Sequence, residues 1–209
     1  DAELNDEGTA AQADGDETTE VMTGKTFYFN PHFAKSVEAA DQAPNNISAI
    51  YLRTPRQLYH MSLYYQDYAS LLKGISFIQE RDIDYAPYDW KNYEGVQEAV
   101  TVQSPVGVAE DGTITPFTST YKGGGYEIRG ISFATKGTAV GFIGENQGSI
   151  QSVFLVSDWE NNDFTGTTAV SNPYLSYTGT IGSNRNVYMG ALAGINKGTI
   201  QNCAVCGYS

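Results

Sequence analysis

Helical spacing of hydrophobic residues is confined to two stretches in the first third of the chain. In NPHFAKSVEAADQ, Asn30 can cap a helix and Pro31 suits its first position. In RTPRQLYHMSLYYQDY, Thr54 and Gln57 are spaced as a capping box. The apolar positions that these two predicted helices would bury are Phe33, Val37, Ala40, Leu58, Met61 and Tyr65.

Short β-prone runs account for the remaining hydrophobic positions. TFYFN, beginning at Thr26, and AIYL, beginning at Ala49, predict one strand before each helix. From Gly74 onward the helical spacing disappears. GISFIQERDIDY predicts a further strand, and short apolar runs broken by Gly, Asn, Pro and Thr follow it. The pattern predicts a mainly β fold behind a short strand-and-helix lead-in.

One phrase occurs twice in the β region. GENQGSIQSVFLVS spans residues 144–157, and GINKGTIQNCAVCG spans residues 194–207. In both copies the apolar positions are spaced by three residues and then by two. GYEIRGISF and AVSNPYL carry the same spacing with less similarity. The apolar triplets are Ile128, Ile131 and Phe133; Ile150, Val153 and Leu155; Val170, Pro173 and Leu175; and Ile200, Cys203 and Val205.

A spacing of three residues implies a corner between two short strands. Side chains alternate along a flat strand, so a step of three would turn one apolar residue outward. A tight bend just before the second apolar position keeps the whole triplet on one side. Gly and Asn, which tolerate positive φ, predominate at that place. The predicted corner residues are Gly130, Ser152, Asn172 and Asn202.

The triplets begin 22, 20 and 30 residues apart, a period typical of solenoids. One bent coil per repeat predicts a right-handed parallel β-helix. The longest interval predicts a polar loop between residues 158 and 186, and such loops often bind ligands. The first interior column would contain Ile128, Ile150, Val170 and Ile200, and the second would contain Ile131, Val153, Pro173 and Cys203.

The order of these motifs resembles the GLUG repeat of bacterial surface proteins. The GxNxGxI pattern at residues 144–150 and 194–200, with NCAV after the second copy, is similar to that repeat. Upstream, IYLRTPRQLYHMS resembles the lead-in of many such proteins, and RDIDYAPYDW, SPVG and PFTSTYKGGGYEIRGISF follow in the expected order. The resemblance covers residues 47–209. It departs at Ser119 and Lys122, where the family pattern has Gly and Asp.

The GLUG resemblance implies an extracellular location at the bacterial cell surface and an adhesive or structural role. Some proteins with this repeat also carry a catalytic domain, including peptidases. The resemblance attributes no chemistry to the repeat itself.

Charge narrows the range of partners. The chain has 24 acidic and 12 basic side chains and a formal net charge of −12, which argues against nucleic acid and anionic membranes as partners. No apolar run approaches the ~20 residues that span a bilayer. The first twenty residues contain eight carboxylates and no Lys or Arg, a composition that cannot bury enough surface to fold.

These patterns divide the chain into three segments: a disordered acidic spacer over residues 1–24, an α/β lead-in that caps the first coil over residues 25–73, and the β-helix over residues 74–209. The last coil would expose strand edges and apolar core, which natural solenoids cover. The chain is therefore expected to be a truncated piece of a longer protein with further domains. Its acidic start, without a signal peptide, indicates a trimmed N-terminus.

Few residues offer catalytic or metal-binding chemistry. His32 and His60 have no second imidazole at helical spacing, and the sequence has no G-x-S-x-G motif. Cys203 and Cys206 form a C-x-x-C in a predicted strand, where Cys203 would fill the second column and Cys206 would end the strand. The run Gly123–Gly125 predicts a turn rather than a phosphate cradle, because no Lys-Ser/Thr and no helix follow it.

Carboxylates beside aromatic rings offer the one catalytic alternative. Asp82 and Asp84 would share one face of a strand, as the chemistry of a glycosidase could require. The group that could hold and cleave a sugar comprises Asp82, Asp84, Asp89, Tyr85, Tyr88 and Trp90. A second set of oxygen ligands for Ca²⁺ lacks EF-hand spacing and comprises Glu160, Asn161, Asn162 and Asp163. Neither set leads us to assign a metal.

The sequence thus predicts a non-catalytic module of an exported bacterial cell-surface protein, acting in adhesion or as a structural stalk. No catalytic, cofactor-binding or metal-binding residue is assigned, and no cofactor is expected. The expected partners are glycans or proteins of a host or matrix. Two alternatives remain open: a carbohydrate-binding or polysaccharide-cleaving β-helix domain, and an architectural spacer without a ligand.

Overall fold

The structure is a computed structural model that describes residues 27–28, 49–70, 72–85, 100, 102–156, 175–180 and 186–207. Within these residues the chain forms one α-helix and seventeen short strands. In chain order they are β1 (Phe27–Tyr28), β2 (Ala49–Leu52), α1 (Pro55–Tyr68), β3 (Ser76–Gln79), β4 (Ile83–Asp84), β5 (Val102–Gln103), β6 (Thr120–Lys122), β7 (Glu127–Arg129), β8 (Ser132–Thr135), β9 (Ala139–Val140), β10 (Ile143–Asn146), β11 (Ser149–Gln151), β12 (Phe154–Val156), β13 (Leu175–Tyr177), β14 (Tyr188–Met189), β15 (Ala193–Asn196), β16 (Thr199–Gln201) and β17 (Ala204–Cys206).

Parallel pairing organises the strands into five sheets. The first sheet has the spatial order β1-β2-β3-β6-β11-β16, the second β4-β7-β12-β17, and the third β5-β8-β13. Two further pairs are β10-β15 and β9-β14. Every pairing between these strands is parallel. Neighbours in a sheet are therefore separated in sequence by long connections, and the predicted mainly β class is confirmed.

The two copies of the repeated phrase pair residue by residue. Strands β10, β11 and β12 lie beside β15, β16 and β17, with Ile150 opposite Ile200 and Leu155 opposite Val205. The Val153 amide is 3.5 Å from the Cys203 sulfur. The predicted pairing of Ile150 with Ile200 and of Val153 with Cys203 is thus confirmed.

The predicted register of the upstream copy is wrong. Tyr121, rather than Ile128, lies opposite Ile150, whereas Ile128 lies opposite Leu155 in the second sheet. The Gly-rich corner at residues 123–125 makes this segment two residues longer than its counterpart, and Gly124 and Gly125 have φ of 66° and 84°. The triplet that begins at Ile128 therefore spans β7, the corner at Gly130 and β8, whereas the triplet that begins at Ile150 spans β11, the corner at Ser152 and β12.

The same difference in register moves Ile131 out of the predicted second column. Ile131 follows β7 whereas Val153 precedes β12, and those two strands pair with each other. Ile131 is nevertheless fully buried. Val170 and Pro173, the remaining members of the predicted columns, lie outside the described residues.

The predicted corners are found in the backbone. Gly130, Ser152 and Asn202 have φ of 71°, 52° and 53°. In the described part of the chain, Ser152 and Asn202 are the non-glycine residues with positive φ. The apolar spacing of three residues therefore marks a left-handed corner residue. The fourth predicted corner, Asn172, lies outside the described residues.

Helix α1 begins at the predicted capping box. The Gln57 amide donates to Thr54 Oγ1 at 3.3 Å, and the Thr54 amide donates to Gln57 Oε1 at 3.3 Å. On the buried face, the Tyr65 ring lies 5.0 Å from that of Phe117 and 6.2 Å from that of Phe77. These contacts pack the helix against β3 and the segment before β6. The helix predicted after Asn30 lies outside the described residues.

The lead-in and the repeats share one sheet. The predicted boundary between the lead-in and the β-helix lies after residue 73. β2, on the lead-in side, pairs with β3 on the other side, and β3 pairs with β6. The buried apolar cluster runs without interruption from α1 to β12. The predicted spacer, residues 1–24, lies outside the described residues. No helix in the described part of the chain is long and apolar enough to cross a membrane.

Candidate functional site

The outer surface of the second sheet contains the carboxylates that suggested a sugar site. Ile83 is buried between Asp82, which is exposed, and Asp84, which is half-buried. The Glu127 amide donates to Asp82 Oδ1 at 2.8 Å. Asp84 lies opposite Arg129 in the register of β4 and β7. The predicted alternation along β4 is therefore confirmed, and it brings the acidic residues beside a guanidinium.

Arg129 offsets the negative charge of this surface. Its guanidinium forms an ion pair with the Glu127 carboxylate. The Arg129 guanidinium also donates a hydrogen bond to the Glu127 carboxylate. This hydrogen bond, together with the nearby charges of Glu127, Asp82 and Asp84, raises the pKa of Arg129. The group is an exposed network of opposite charges, an arrangement that typically adds little to stability and resembles the surface of many sheets.

The one described aromatic member of the predicted sugar site, Tyr85, does not lie on this surface. Tyr85 is fully buried, and its hydroxyl donates to Gln103 Oε1 at 2.7 Å. Its ring cannot stack on a sugar, because strand alternation turns it inward from Asp84. The other predicted members, Asp89, Tyr88 and Trp90, lie outside the described residues.

The outer surface of the first sheet presents a regular row of hydroxyl groups. Ser76, Thr120, Ser149 and Thr199 occupy equivalent positions in successive strands. We call these four residues the hydroxyl row. Neighbouring members are about 4.8 Å apart along the sheet, the usual strand spacing. Such a row can exchange several hydrogen bonds with a linear ligand.

A second row lies beside the hydroxyl row. It consists of Ile78, Lys122, Gln151 and Gln201, two residues further along the same strands. The Gln151 amide donates to Ser149 Oγ at 2.9 Å, which connects the two rows. This surface of hydroxyl, amide and ammonium groups was not found by motif reasoning. Its signal is the TYK, SIQ and TIQ phrases that occupy one register.

A pair of asparagines, Asn146 buried and Asn196 exposed, joins the two repeats. Asn146 is fully buried, and its Nδ2 donates to Asn196 Oδ1 at 2.7 Å and to the Thr199 carbonyl at 3.3 Å. Its Oδ1 accepts from the Gly148 amide at 3.1 Å. Since a buried amide without partners is costly, these bonds fix the register of the repeats. The Asn of the GxNxG pattern was the sequence signal for this pair.

An ion pair joins the same two repeats at the rim. Lys197 Nζ lies 2.9 Å from Glu145 Oε1, and Gln147 Nε2 donates to the same oxygen at 2.6 Å. Glu145 is 9% exposed. The hydrogen bond from Gln147, followed by that from Lys197 and its charge, lowers the pKa of the Glu145 carboxyl despite burial. The contact between Lys197 and Glu145 thus bridges the two repeats at the rim.

The cysteines take the places that the repeat predicts. Cys203 is half-buried in the apolar column, and Cys206 is exposed at the end of β17. Both thiols are free. In the part of the chain that the structure describes, no group of three or more His, Cys, Asp and Glu residues could hold a metal ion. Residues 160–163, the candidate calcium ligands, lie outside that part.

The glycine run and the histidines, to which the sequence assigned no site, are described in part. A Cβ on Gly123 would lie 2.3 Å from the Ser152 carbonyl oxygen, so this glycine permits close approach of two repeats at the corner. The His60 ring is buried in α1, 5.9 Å from the ring of Tyr64. His32 lies outside the described residues.

Comparisons with protein-family models, with curated proteins and with solved structures find no match for this chain. The features of this chain that bear on function are therefore its repeats, the contacts between them and their outer surfaces.

Proposed function

We propose that this chain is a right-handed parallel β-helix that serves as a non-catalytic module of an exported bacterial cell-surface protein, in adhesion or as a stalk. The observation that carries the proposal is the residue-by-residue pairing of two consecutive repeats in parallel sheets. A stack of this kind is extended by adding repeats and presents its side chains at fixed intervals. Both properties suit a rod or a binding surface.

The GLUG resemblance supports the cellular location. The GxNxGxI pattern lies at residues 144–150 and 194–200 and supplies the asparagine pair that links the repeats. The residues that carry the resemblance are thus ones that the stack needs. An exported bacterial surface module is the class of protein in which that pattern is found.

The hydroxyl row supports adhesion over a purely architectural role. A spacer needs only a soluble outer surface, whereas this row repeats one functional group at one register over four strands. Regularly spaced hydroxyl and amide groups match the repeating hydroxyl and carbonyl groups of glycans. The second sheet is a weaker candidate, since Arg129 already pairs with its carboxylates and Tyr85 is buried.

Binding of the purified chain to immobilised mucins, glycans and matrix proteins tests the proposal. We expect saturable binding that falls by more than about tenfold in a Thr120→Lys, Ser149→Lys double variant, because two members of the row are blocked. Asp82→Asn, Asp84→Asn is the matched control on the second sheet and should bind normally. Loss of binding in that control alone would favour the carbohydrate alternative. No binding by any variant would favour a spacer.

A further inference from the structure

The last described repeat has one uncovered side. Strands β15, β16 and β17 are terminal strands of their sheets, so each has an edge without a strand partner among the described residues. All three are paired on the opposite edge, with β10, β11 and β12. We call the uncovered side of residues 193–206 the end face.

The end face exposes apolar positions that the preceding repeat buries. Ile150, Val153 and Leu155 are 0% exposed beneath the last repeat. Their counterparts Ile200 and Cys203 are only half-buried, and Val205 is 42% exposed. The equivalent apolar positions are therefore buried where a repeat covers them and exposed where none of the described residues does.

The polar groups of the end face are also arranged to bond to a further repeat. Asn146 donates through Nδ2 to Asn196 in the covering repeat at 2.7 Å. The corresponding Nδ2 of Asn196 makes one long hydrogen bond, 3.4 Å to its own Gly198 carbonyl. This amide can donate to an oxygen one repeat further on, as Asn146 does. It is a second feature, independent of the apolar residues, that points to the same occupant.

The backbone supplies a third set of complementary groups. The carbonyls of Asn146, Gly148 and Val153 accept from Lys197, Thr199 and Ala204 of the covering repeat at 2.8 to 3.0 Å. In the end face these places are taken by the carbonyls of Asn196, Gly198 and Cys203. They lie at the same positions in the repeat, at the end of β15 and in the links that join β15, β16 and β17, which have an open edge.

We infer that the end face is a docking surface for a polypeptide segment of the same pattern, GxNxGxI followed by apolar residues three and five positions after the Ile. The segment adds three parallel strands, in continuity with the repeat-on-repeat interface already present. Its Asn lies opposite Asn196, its Ile opposite Ile200 and its last apolar residue opposite Val205. The inference rests on the proposed β-helix and specifies which partner its end accepts.

A second copy of this chain fits the end face less well. Two copies related by a twofold axis would meet with antiparallel strands, whereas the interface between repeats is parallel. The twofold would also bring together two Lys197 side chains, each 59% exposed. Neither feature would reproduce the asparagine link.

The test is amide hydrogen exchange on the full chain and on a chain extended by a duplicate of residues 157–207 after residue 209. We expect exchange in β15, β16 and β17 to slow by at least about tenfold in the extended chain, because these strands become interior. The matched control carries Ile200→Asp and Val205→Asp in the duplicate only, and it should leave exchange at the rate of the original chain.

Equal exchange rates in the extended chain and its control would overturn the inference. Dimerisation of the original chain by sedimentation, with protection of β16 and β17, would also overturn it, because the occupant would then be a second copy. Slow amide exchange of β11 and β12 in the original chain tests the proposed β-helix separately from the docking inference. If those strands exchange freely, the proposed function fails; if they are protected while the extension has no effect, only the docking inference fails.

Discussion

Residues 143–156 and residues 193–206 carry one pattern of Gly, Asn and apolar residues in two environments. In the first, β11 and β12 lie between two strands and β10 has isolated bridges on its second side, whereas the second is covered on one side only within the described residues. Leu155 is 0% exposed and its partner Val205 is 42% exposed. Local geometry is the same in both, since Ser152 and Asn202 have nearly equal φ of 52° and 53°. The sequence pattern therefore sets the backbone conformation of each repeat, whereas burial of its apolar side chains depends on a neighbouring repeat.

That difference implies that the repeats contribute unequally to stability. A residue in the inner repeat contacts neighbours above and below, so its loss leaves a cavity. Its counterpart in the last repeat loses contacts on one side and can relax toward solvent. Paired substitutions at equivalent positions measure this difference directly.

The largest effect is expected in the apolar column. Ile150→Ala should lower the free energy of unfolding by about 2–5 kcal/mol, the usual range for a buried Ile, and Ile200→Ala by about 1–2 kcal/mol. Urea unfolding of both variants checks this. Gln151→Ala, on the outer surface, is the control and should change stability by about 0.5 kcal/mol or less. Equal losses for the two Ile variants would mean that Ile200 is as well packed as Ile150.

The asparagine pair should show the second largest effect. Asn146→Ala should cost about 1–3 kcal/mol, because it leaves the half-buried Gly148 amide without its acceptor and removes the link to Asn196. Asn196→Ala should cost about 1 kcal/mol or less, since Asn146 keeps its bond to the Thr199 carbonyl. Thermal unfolding provides the measurement. Tolerance of Asn146→Asp, which loses both donated bonds, would contradict this account.

The corner residues should follow. Ser152→Val should destabilise by about 1–2 kcal/mol, because a β-branched residue is strained at positive φ. Ser152→Gly should match or exceed the stability of the original chain. Gln151→Val, one residue earlier in extended backbone, is the control for the change in side chain. If Ser152→Val and Ser152→Gly unfold at the same urea concentration, the left-handed corner is not needed in solution.

The smallest effect concerns the ion pair at the rim. The pKa of Glu145 is lowered in the folded chain, so its contribution is present above the ordinary glutamate pKa and is lost as pH falls through the lowered value. Glu145→Gln should therefore be less stable near neutral pH, by about 1 kcal/mol or less, and the difference should shrink on acidification. Lys197→Gln should behave similarly. A difference that grows on acidification would contradict the lowered pKa.

The corner at residues 123–125 shows where sequence reasoning stopped. The triplet of Ile128, Ile131 and Phe133 has the same spacing as the downstream triplets, yet Tyr121 takes the place opposite Ile150. The spacing of three residues recurs at every left-handed corner of a coil, so the triplet around Gly130 matches the triplet around Ser152 although the two corners join different strands. Only the hydrogen-bonded pairing distinguishes the two registers.

The candidate sites show the same division. The sequence predicted that Asp82 and Asp84 share one face of a strand, and the structure confirms it, with Ile83 buried between them. The same alternation turns Tyr85 inward, where its hydroxyl donates a hydrogen bond to Gln103 Oε1. The partner of a side chain on a neighbouring strand, such as Arg129 beside Asp84, is decided by residues 45 positions away. Periodicity along one strand carries no information about such a partner.

The sequence by itself determined the local elements: the capping box at Thr54, the left-handed corners at Ser152 and Asn202, and the mainly β class. Each depends on a few consecutive residues whose backbone preferences hold in almost any surroundings. The tertiary structure alone decided the register of Tyr121 with Ile150 and the bridges between Glu145 and Lys197. Those depend on contacts between distant segments, whose free energy exists only once the strands are side by side.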